Sequence, residues 1–535
     1  MNLLHYYFPP RQPAAGQKIA VDLCVYGNSP AAITAAIRAT RHGHSVALVI
    51  NSAFLGGLTA GGLGNTDIGN KQAIGGMARD FYRRVGGHYG VAEEWRFEPK
   101  VAEKVFREIL AEARVQPFMR EYPVAVEKQG ARLELVRFES GLEIAAKVFI
   151  DASYEGDLLA LAGISHVVGR EGNTEFHELL NGVQIRETHQ FETAVDPYVE
   201  PGNPKSGLLP GVVSAPLAAI GSGDDKVQAY NFRMCLTQAP DRLPFPRPEG
   251  YNPLDYELLA RYLRTGWNEA FRKFDAIRGN KTDTNNHGAI STDFIGGSWE
   301  FPRGTWKERE EIFQRHVTWQ QGLMWFMSHD PRVPATLQAQ YRTWGLPVDE
   351  FTATGGWSHQ LYIRESRRMR SDYVITEHDC RGFVRAEDPV GLGAYAMDSH
   401  NCQRIVINGL VRNEGDVQSA GFKPYPISYR AITPRRAEAE NLLAPVCLSA
   451  THIAYGSIRM EPVFMILGES AASAAHLALS QHLAVQDVPY ARLRELLAEA
   501  RQVVKWPVTD DADDVAVAYE PEATPPPAEP VRVKA

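Results

Sequence analysis

From Val21 to Gly64 the chain reads VDLCVYGNSPAAITAAIRATRHGHSVALVINSAFLGGLTAGGLG, and this stretch most restricts the folds open to it. An apolar run, Val21 to Tyr26, meets a turn at Gly27, an alanine-rich helical segment follows, and a second apolar run spans Val46 to Ile50. Strand, tight turn, helix and strand in that order make a βαβ unit. The turn, Gly27 to Ala32, stands where a dinucleotide-binding unit would have G-x-G-x-x-G or G-x-G-x-x-A. Gly27 meets the first requirement, a tight turn, and Ala32 the third, close packing of helix on strand. Ser29 replaces the second glycine, but a serine can still approach a phosphate and donate to it. Pro30 suits the first turn of a helix whose free N–H groups face an anion. The acidic residue expected about 20 positions on is missing, because the second strand ends in Ile50 and Asn51. Asn51 could donate to a ribose, although it does not replace a carboxylate that accepts from two hydroxyls. On this turn alone, a βαβ unit without a nucleotide accounts for the residues equally well.

At 535 residues and 44% hydrophobic content the chain can form two or three domains with sizeable cores. A net charge of -8 and the lack of any basic run argue against a nucleic-acid partner. Cys24, Cys235, Cys380, Cys402 and Cys447 lie far apart, so neither an iron–sulfur cluster nor a zinc site is expected, and the thiols read as reduced and buried. Pro9 and Pro10 interrupt the N-terminal apolar patch too early for a signal peptide. No stretch reads as a membrane span. A soluble, cytoplasmic protein acting on a small molecule follows from these features.

Farther along, Ile74 to Val85 and Glu98 to Ala113 have helical spacing, while Val124 to Glu127, Arg132 to Glu139 and Glu143 to Asp151 read as a β-meander. Seven of the nine tryptophans fall between Trp267 and Trp357, which marks a separate middle domain. Its clearest helices are Leu254 to Phe274 and Trp306 to His329. A buried strand returns at Asn441 to Ser449, followed by a helix from Pro462 to Gln481. Asp510 to Ala535 is acidic and then proline-rich, the composition of disorder.

Two further segments carry chemistry. Leu55 to Gly64, LGGLTAGGLG, follows the second strand directly; its glycines let backbone approach a flat ligand, and its interleaved leucines argue against a free surface loop. Near the C-terminus Pro462 opens a helix on which Gly468, Ala471, Ala472 and Ala475 form a small-residue face. Such a face serves close packing with or without a ligand, and a helix N-terminus aimed at a flavin would stabilise the charge that develops on reduction.

These segments, with AKVFIDASYEGDLLALAG (Ala146 to Gly163), VQAYNFRMCLT (Val227 to Thr237), MDSHNCQR (Met397 to Arg404) and ATHIAYGSIRMEPVFMILGESAASAA (Ala450 to Ala475), occur in the order of one family. The chain resembles the FAD-dependent oxidoreductases grouped with heterodisulfide reductase A-like flavoproteins, some of them labelled xanthan lyase-like, from Val21 to about Val504. The resemblance implies an α/β fold: a discontinuous, glutathione-reductase-like Rossmann FAD-binding domain with an inserted α+β substrate domain. A tail would occupy 1–20, the first FAD-binding segment 21–163, the insert 164–430, the second FAD-binding segment 431–506 and a disordered tail 507–535. FAD is the implied cofactor. Gly27, Ser29, Pro30, Ala31 and Ala32 would lie at its diphosphate, Gly56, Gly57 and Thr59 near diphosphate and flavin, and Asp157 at the end of the strand closing the site. The helix after Pro462, with Gly468 on it, would face the isoalloxazine. Family members often carry a glutamate where this chain has Ile50, which bears on ribose binding.

Oxidising an alcohol needs a base for the hydroxyl proton. His452, between the returning strand and the flavin-facing helix, is the first candidate, although a core histidine fits the same position. His400, in Asp398-Ser399-His400-Asn401, is the second, in a tetrad that suits a cavity wall or a turn. Tyr455 and Arg459 flank the start of the same helix, and Arg459 could hold an acidic group or pair with Glu461. Arg364 and Arg368 read as a solvated helical pair beside Glu365, and KTDTNN, Lys281 to Asn286, as a polar loop able to bind a polyol. The implied activity is hydride transfer between a small polar substrate, hydroxylated or carbohydrate-like, and flavin N5. A carbohydrate lyase and a binding protein that kept the fold without redox activity are the rival readings.

Overall fold

The computed structural model describes residues 4–9 and 16–507. The tail expected to be disordered lies outside the described residues from 508 onward. Strand β1 (Lys18–Tyr26), helix α1 (Pro30–Arg41) and strand β2 (Val46–Ile50) form the expected βαβ unit. β1 and β2 are parallel, with Val25 opposite Leu48, and Leu23 to Tyr26 are buried on both faces, as a parallel sheet covered by helices requires. Helices α2 (Gly76–His88) and α3 (Pro99–Glu112) follow. Beyond β3 (Phe118–Met119), the strands β4 (Pro123–Gln129), β5 (Arg132–Phe138) and β6 (Glu143–Asp151) form the antiparallel meander. β6 then lies parallel to β1 on the side away from β2, with Tyr26 opposite Asp151. The sheet order is β3-β2-β1-β6-β5-β4.

The middle of the chain builds a second sheet from β7 (Met234–Thr237), β8 (Phe274–Ile277) and β9 (Lys281–Thr284), with β9 central, beside the long helix α4 (Trp306–His329). A capping box at Thr305 and Glu308 starts α4 where the spacing predicts. Three expectations need correction here. The helix expected over Leu254 to Phe274 is a 3-10 turn, Pro253–Tyr256, and a helix, Glu257–Arg264, which stops before Gly266. KTDTNN is not a loop: its first four residues are β9, buried throughout, and Asp283 is there because Arg233 meets it twice at 2.7 Å. Arg364 and Arg368 are neither helical nor solvated. Both are 0% exposed, paired with Asp293 at 2.9 Å and with Glu171 at 2.7 Å, and Arg368 begins a two-residue strand.

Strands β10 (Met397–Ser399) and β11 (Val417–Ser419) pair antiparallel, and the chain then rejoins the first sheet: β12 (Leu442–Leu443) pairs parallel with β6 at Phe149 and Ile150. Helices α5 (His452–Ile458) and α6 (Glu461–Gln481) follow. α6 lies on α1, since a Cβ on Gly468 would come within 2.3 Å of the Ala31 carbonyl oxygen, and Thr34 Oγ1 donates to the Met465 carbonyl at 2.9 Å. The small-residue face is thus used for helix packing, and the N-terminal and C-terminal segments of the sheet form one body. Among the described residues α6 is also the one helix long and apolar enough to cross a membrane, which corrects the expectation that none is, and it is mostly buried in the protein.

Candidate active site

The carboxyl ends of β1, β2 and β6 meet the N-terminus of α1, the position at which open α/β sheets bind ligands. Gly27 sits there with φ +128, and a Cβ on it would lie 2.3 Å from the backbone of Ala152 and Ser153, so only glycine lets the turn pass the end of β6. Pro30 is at the first turn of α1, and no acidic side chain blocks that end of the helix. Ser29 Oγ donates to the Ala152 carbonyl at 2.6 Å, so its hydroxyl closes the turn on β6 rather than facing outward. Asn28 Nδ2 donates to Gln360 Oε1 at 3.0 Å. Asn28 Oδ1 and Asn51 Oδ1 are buried without a hydrogen-bond partner among the described residues. Two orphaned acceptors at the ends of β1 and β2 are what sugar hydroxyls would satisfy, so the residues present fit a dinucleotide.

The second glycine segment is tied to the C-terminal helix pair. Thr59 donates to Glu461 Oε2 through its N–H at 3.0 Å and its hydroxyl at 2.6 Å, and Tyr154 OH donates to Oε1 of the same carboxylate at 3.0 Å. Burial pushes Glu461 up to about 7 against those hydrogen bonds. Glu461 therefore joins the glycine segment, the turn after β6 and the start of α6, and is not the partner of Arg459 that the sequence allowed; Tyr154 did not stand out in the sequence. Asp157 differs from the role the resemblance implies. Its carboxylate is engaged by Arg309 at 2.9 Å, Arg367 at 3.1 Å and Tyr26 at 3.1 Å, which makes it an ion-pair centre and not a free group at a cofactor.

Beyond Gly64 the chain lines a polar cavity of about 180 Å³ that includes Asn65, Asp67, Arg233, Tyr362, Asp398 and His400. His400 Nδ1 is 2.6 Å from Asp293 Oδ2, and Arg364 pairs with the other oxygen of that carboxylate. His400 lines the cavity, with its Nε2 3.5 Å from Asp398 Oδ2. Arg459 holds Asp398 at 3.3 Å and donates to Tyr362 OH at 2.5 Å. His400 and Arg459 thus belong to one constellation. His452 does not reach the cavity. It is 2% exposed, its Nδ1 is 2.8 Å from Glu365 and its Nε2 is 2.8 Å from Ser399 Oγ. Tyr455, one turn along α5, is likewise buried, and burial raises its phenol well above the usual range. The sequence had no signal for Asp293, because its contact with His400 spans 107 residues.

A βαβ turn built to approach a dinucleotide, a second glycine segment beside it and a polar cavity beyond define a nucleotide-dependent enzyme of the Rossmann type. The chain belongs to the FAD dependent oxidoreductase family, whose model matches residues 22–497, and FAD is its cofactor. Comparison with curated proteins gives no match. Among solved structures, the L-proline dehydrogenase from P. horikoshii is 17% identical over 32% of this chain and 27% of its own, at a TM-score of 0.17. The L-amino acid deaminase from Proteus vulgaris is 13% identical over 30% of this chain and 55% of its own, at 0.23. The flavin-containing monooxygenase from Stenotrophomonas maltophilia is 15% identical over 29% of this chain and 43% of its own, at 0.20. This chain therefore spans from 27% to 55% of those chains' lengths.

Proposed function

We propose that the enzyme moves a hydride between flavin N5 and a small, hydroxylated or carbohydrate-like molecule held in the cavity beside Arg233 and His400. The observation that carries this reading is the setting of His400: Asp293 engages Nδ1, so Nε2 is the nitrogen left for a ligand, and the ring lines a polar cavity beside Asp398. FAD, when bound, supplies the two-electron acceptor. The protein supplies the rest. His400 takes the hydroxyl proton, Asp293 and Arg364 fix its ring, and Arg459 holds Asp398 and Tyr362 in the cavity wall. His452 acts at one remove, through its bond to Ser399, by holding the strand that carries His400.

In this reading residues 21–163 and 431–506 share the FAD and 164–430 supply the substrate side, a division supported by the pairing of β12 on β6. Gly27, Pro30, Ala31 and Ala32 approach the diphosphate, Asn28 and Asn51 accept from sugar hydroxyls of the cofactor, and Gly56, Gly57 and the start of α6 border the flavin. All five cysteines are free and buried, which supports a reducing, cytoplasmic setting. The test is anaerobic bleaching of the purified yellow protein by sugars, polyols and hydroxy acids. His400→Gln should retain FAD and slow bleaching by about 10²–10⁴, the usual contribution of a positioned base. Unchanged bleaching would remove His400 from the reaction.

A further inference from the structure

A second histidine faces the same cavity. His189 lines it beside His400, the two rings nearly parallel, 26° apart, with centroids separated by 6.5 Å. Its Nδ1 is 2.9 Å from Asp416 Oδ1, and Thr188 Oγ1 donates to the other oxygen of that carboxylate. Two consecutive residues held by one buried carboxylate fix His189 at φ +46, a left-handed conformation that non-glycine residues rarely adopt. Each imidazole is thus oriented by its own carboxylate at Nδ1, and both rings line the same space.

Several charged groups around that space are engaged within the protein, while Lys273 and Asp275, also in its wall, are 3.8 Å apart. Arg233 is bidentate with Asp283 at 2.7 Å, Arg459 meets Asp398 at 3.3 Å, and Asp67 accepts from Tyr395 at 3.2 Å. The wall also offers a ligand hydrogen bonding from the two imidazoles, Tyr362 and Asn286. We propose that His189 and His400 act together on two neighbouring hydroxyls of one molecule, so that the substrate is a vicinal diol. The proposal rests on the reading of this cavity as the substrate site.

His400 Nε2 accepts the proton of the hydroxyl being oxidised. The C–H bond of the same carbon breaks, its hydrogen leaving with the electron pair to the oxidised flavin, and the C–O bond becomes a carbonyl. The alcohol is oxidised and the flavin reduced by two electrons. His189 donates from Nε2 to the adjacent hydroxyl oxygen and so selects the hydroxyl spacing. Burial opposes a charge on His189, but the hydrogen bond and charge of Asp416 outweigh it and hold the ring above the usual imidazole range, which suits a donor.

Two isomers isolate the spacing: cis-cyclohexane-1,2-diol and cis-cyclohexane-1,3-diol share size, formula and polarity. With holoenzyme under anaerobic conditions the 1,2-diol should bleach the flavin about tenfold faster, the factor one well-placed hydrogen bond gives. His189→Asn, chosen because asparagine tolerates the left-handed backbone, should bring the two rates together while FAD content stays at the wild-type level. Equal bleaching by the isomers, whether fast or absent, overturns the diol assignment, and so does a preference that survives in His189→Asn. If both isomers bleach equally and His400→Gln slows both, the diol assignment fails and the cavity reading stands. If no hydroxylated compound bleaches the flavin, both fail.

Discussion

His400 and His452 show how much a single contact decides. Both carry a carboxylate on Nδ1, at 2.6 Å from Asp293 and 2.8 Å from Glu365, and both are nearly buried. The difference is at Nε2: that of His400, a residue of the cavity wall, lies 3.5 Å from Asp398, whereas that of His452 meets Ser399, which is itself fully buried. Sequence position favours His452, because it lies next to the flavin-facing helix, but side-chain direction is not written in position. His452→Ala would leave the Glu365 carboxylate buried beside Arg368 with its nearest partner gone, since the Arg368 contact is 4.0 Å long. Breaking a buried pair in this way costs about 3–5 kcal/mol. The denaturation midpoint should fall accordingly, and a midpoint within error of wild type would mean that water reaches Glu365 in the native protein.

At the level of elements, regular patterns were legible and buried charges were not. β1, α1, β2, the meander and α4 follow from apolar periodicity, turn residues and a capping box, all local signals. β9 and the Arg364 to Arg368 segment are rich in polar residues, so they read as loop or solvated helix. They are in fact core, because partners distant in sequence neutralise them, as Arg233 does for Asp283. The helix α6 holds a related feature. Glu469 is fully buried on it, accepts from Met77 N–H at 2.8 Å and from Gln502 at 2.6 Å, and burial pushes it up to about 7 from 4.5. A carboxyl whose native pKa exceeds its unfolded one favours the fold below pH 4.5 and loses that contribution as pH rises through about 7. Glu469→Gln keeps an acceptor without the charge. The unfolding free-energy difference, variant minus wild type, should therefore climb between pH 4.5 and 7 and level off above, reaching on the order of 3 kcal/mol. A difference independent of pH would show that Glu469 ionises freely in the folded protein.

For the whole molecule, the site is assembled from ends of the chain that a linear reading treats apart. Thr59 meets Glu461 across 402 residues, and β12 adds to a sheet begun at Lys18. Ordered motifs made the FAD-binding fold readable. The cavity was not, because Asp67, Arg233, Asp293 and His400 share no local pattern and come together only in the folded chain. Such an assembly couples cofactor binding to global stability. The two halves that would share the FAD are one body, with α6 on α1 and β12 on β6, so neither can open without removing a portion of the nucleotide site. Ligand that binds only the native state adds about 2.7 kcal/mol at a hundredfold excess over its dissociation constant. Titrating FAD into protein stripped of it should raise a single melting transition by a few degrees, continuing upward with the logarithm of free FAD after the sites are full. Two separate transitions, only one of them moving, would show instead that the halves fold independently and that the long-range pairing of β12 with β6 is not what holds the cofactor site together.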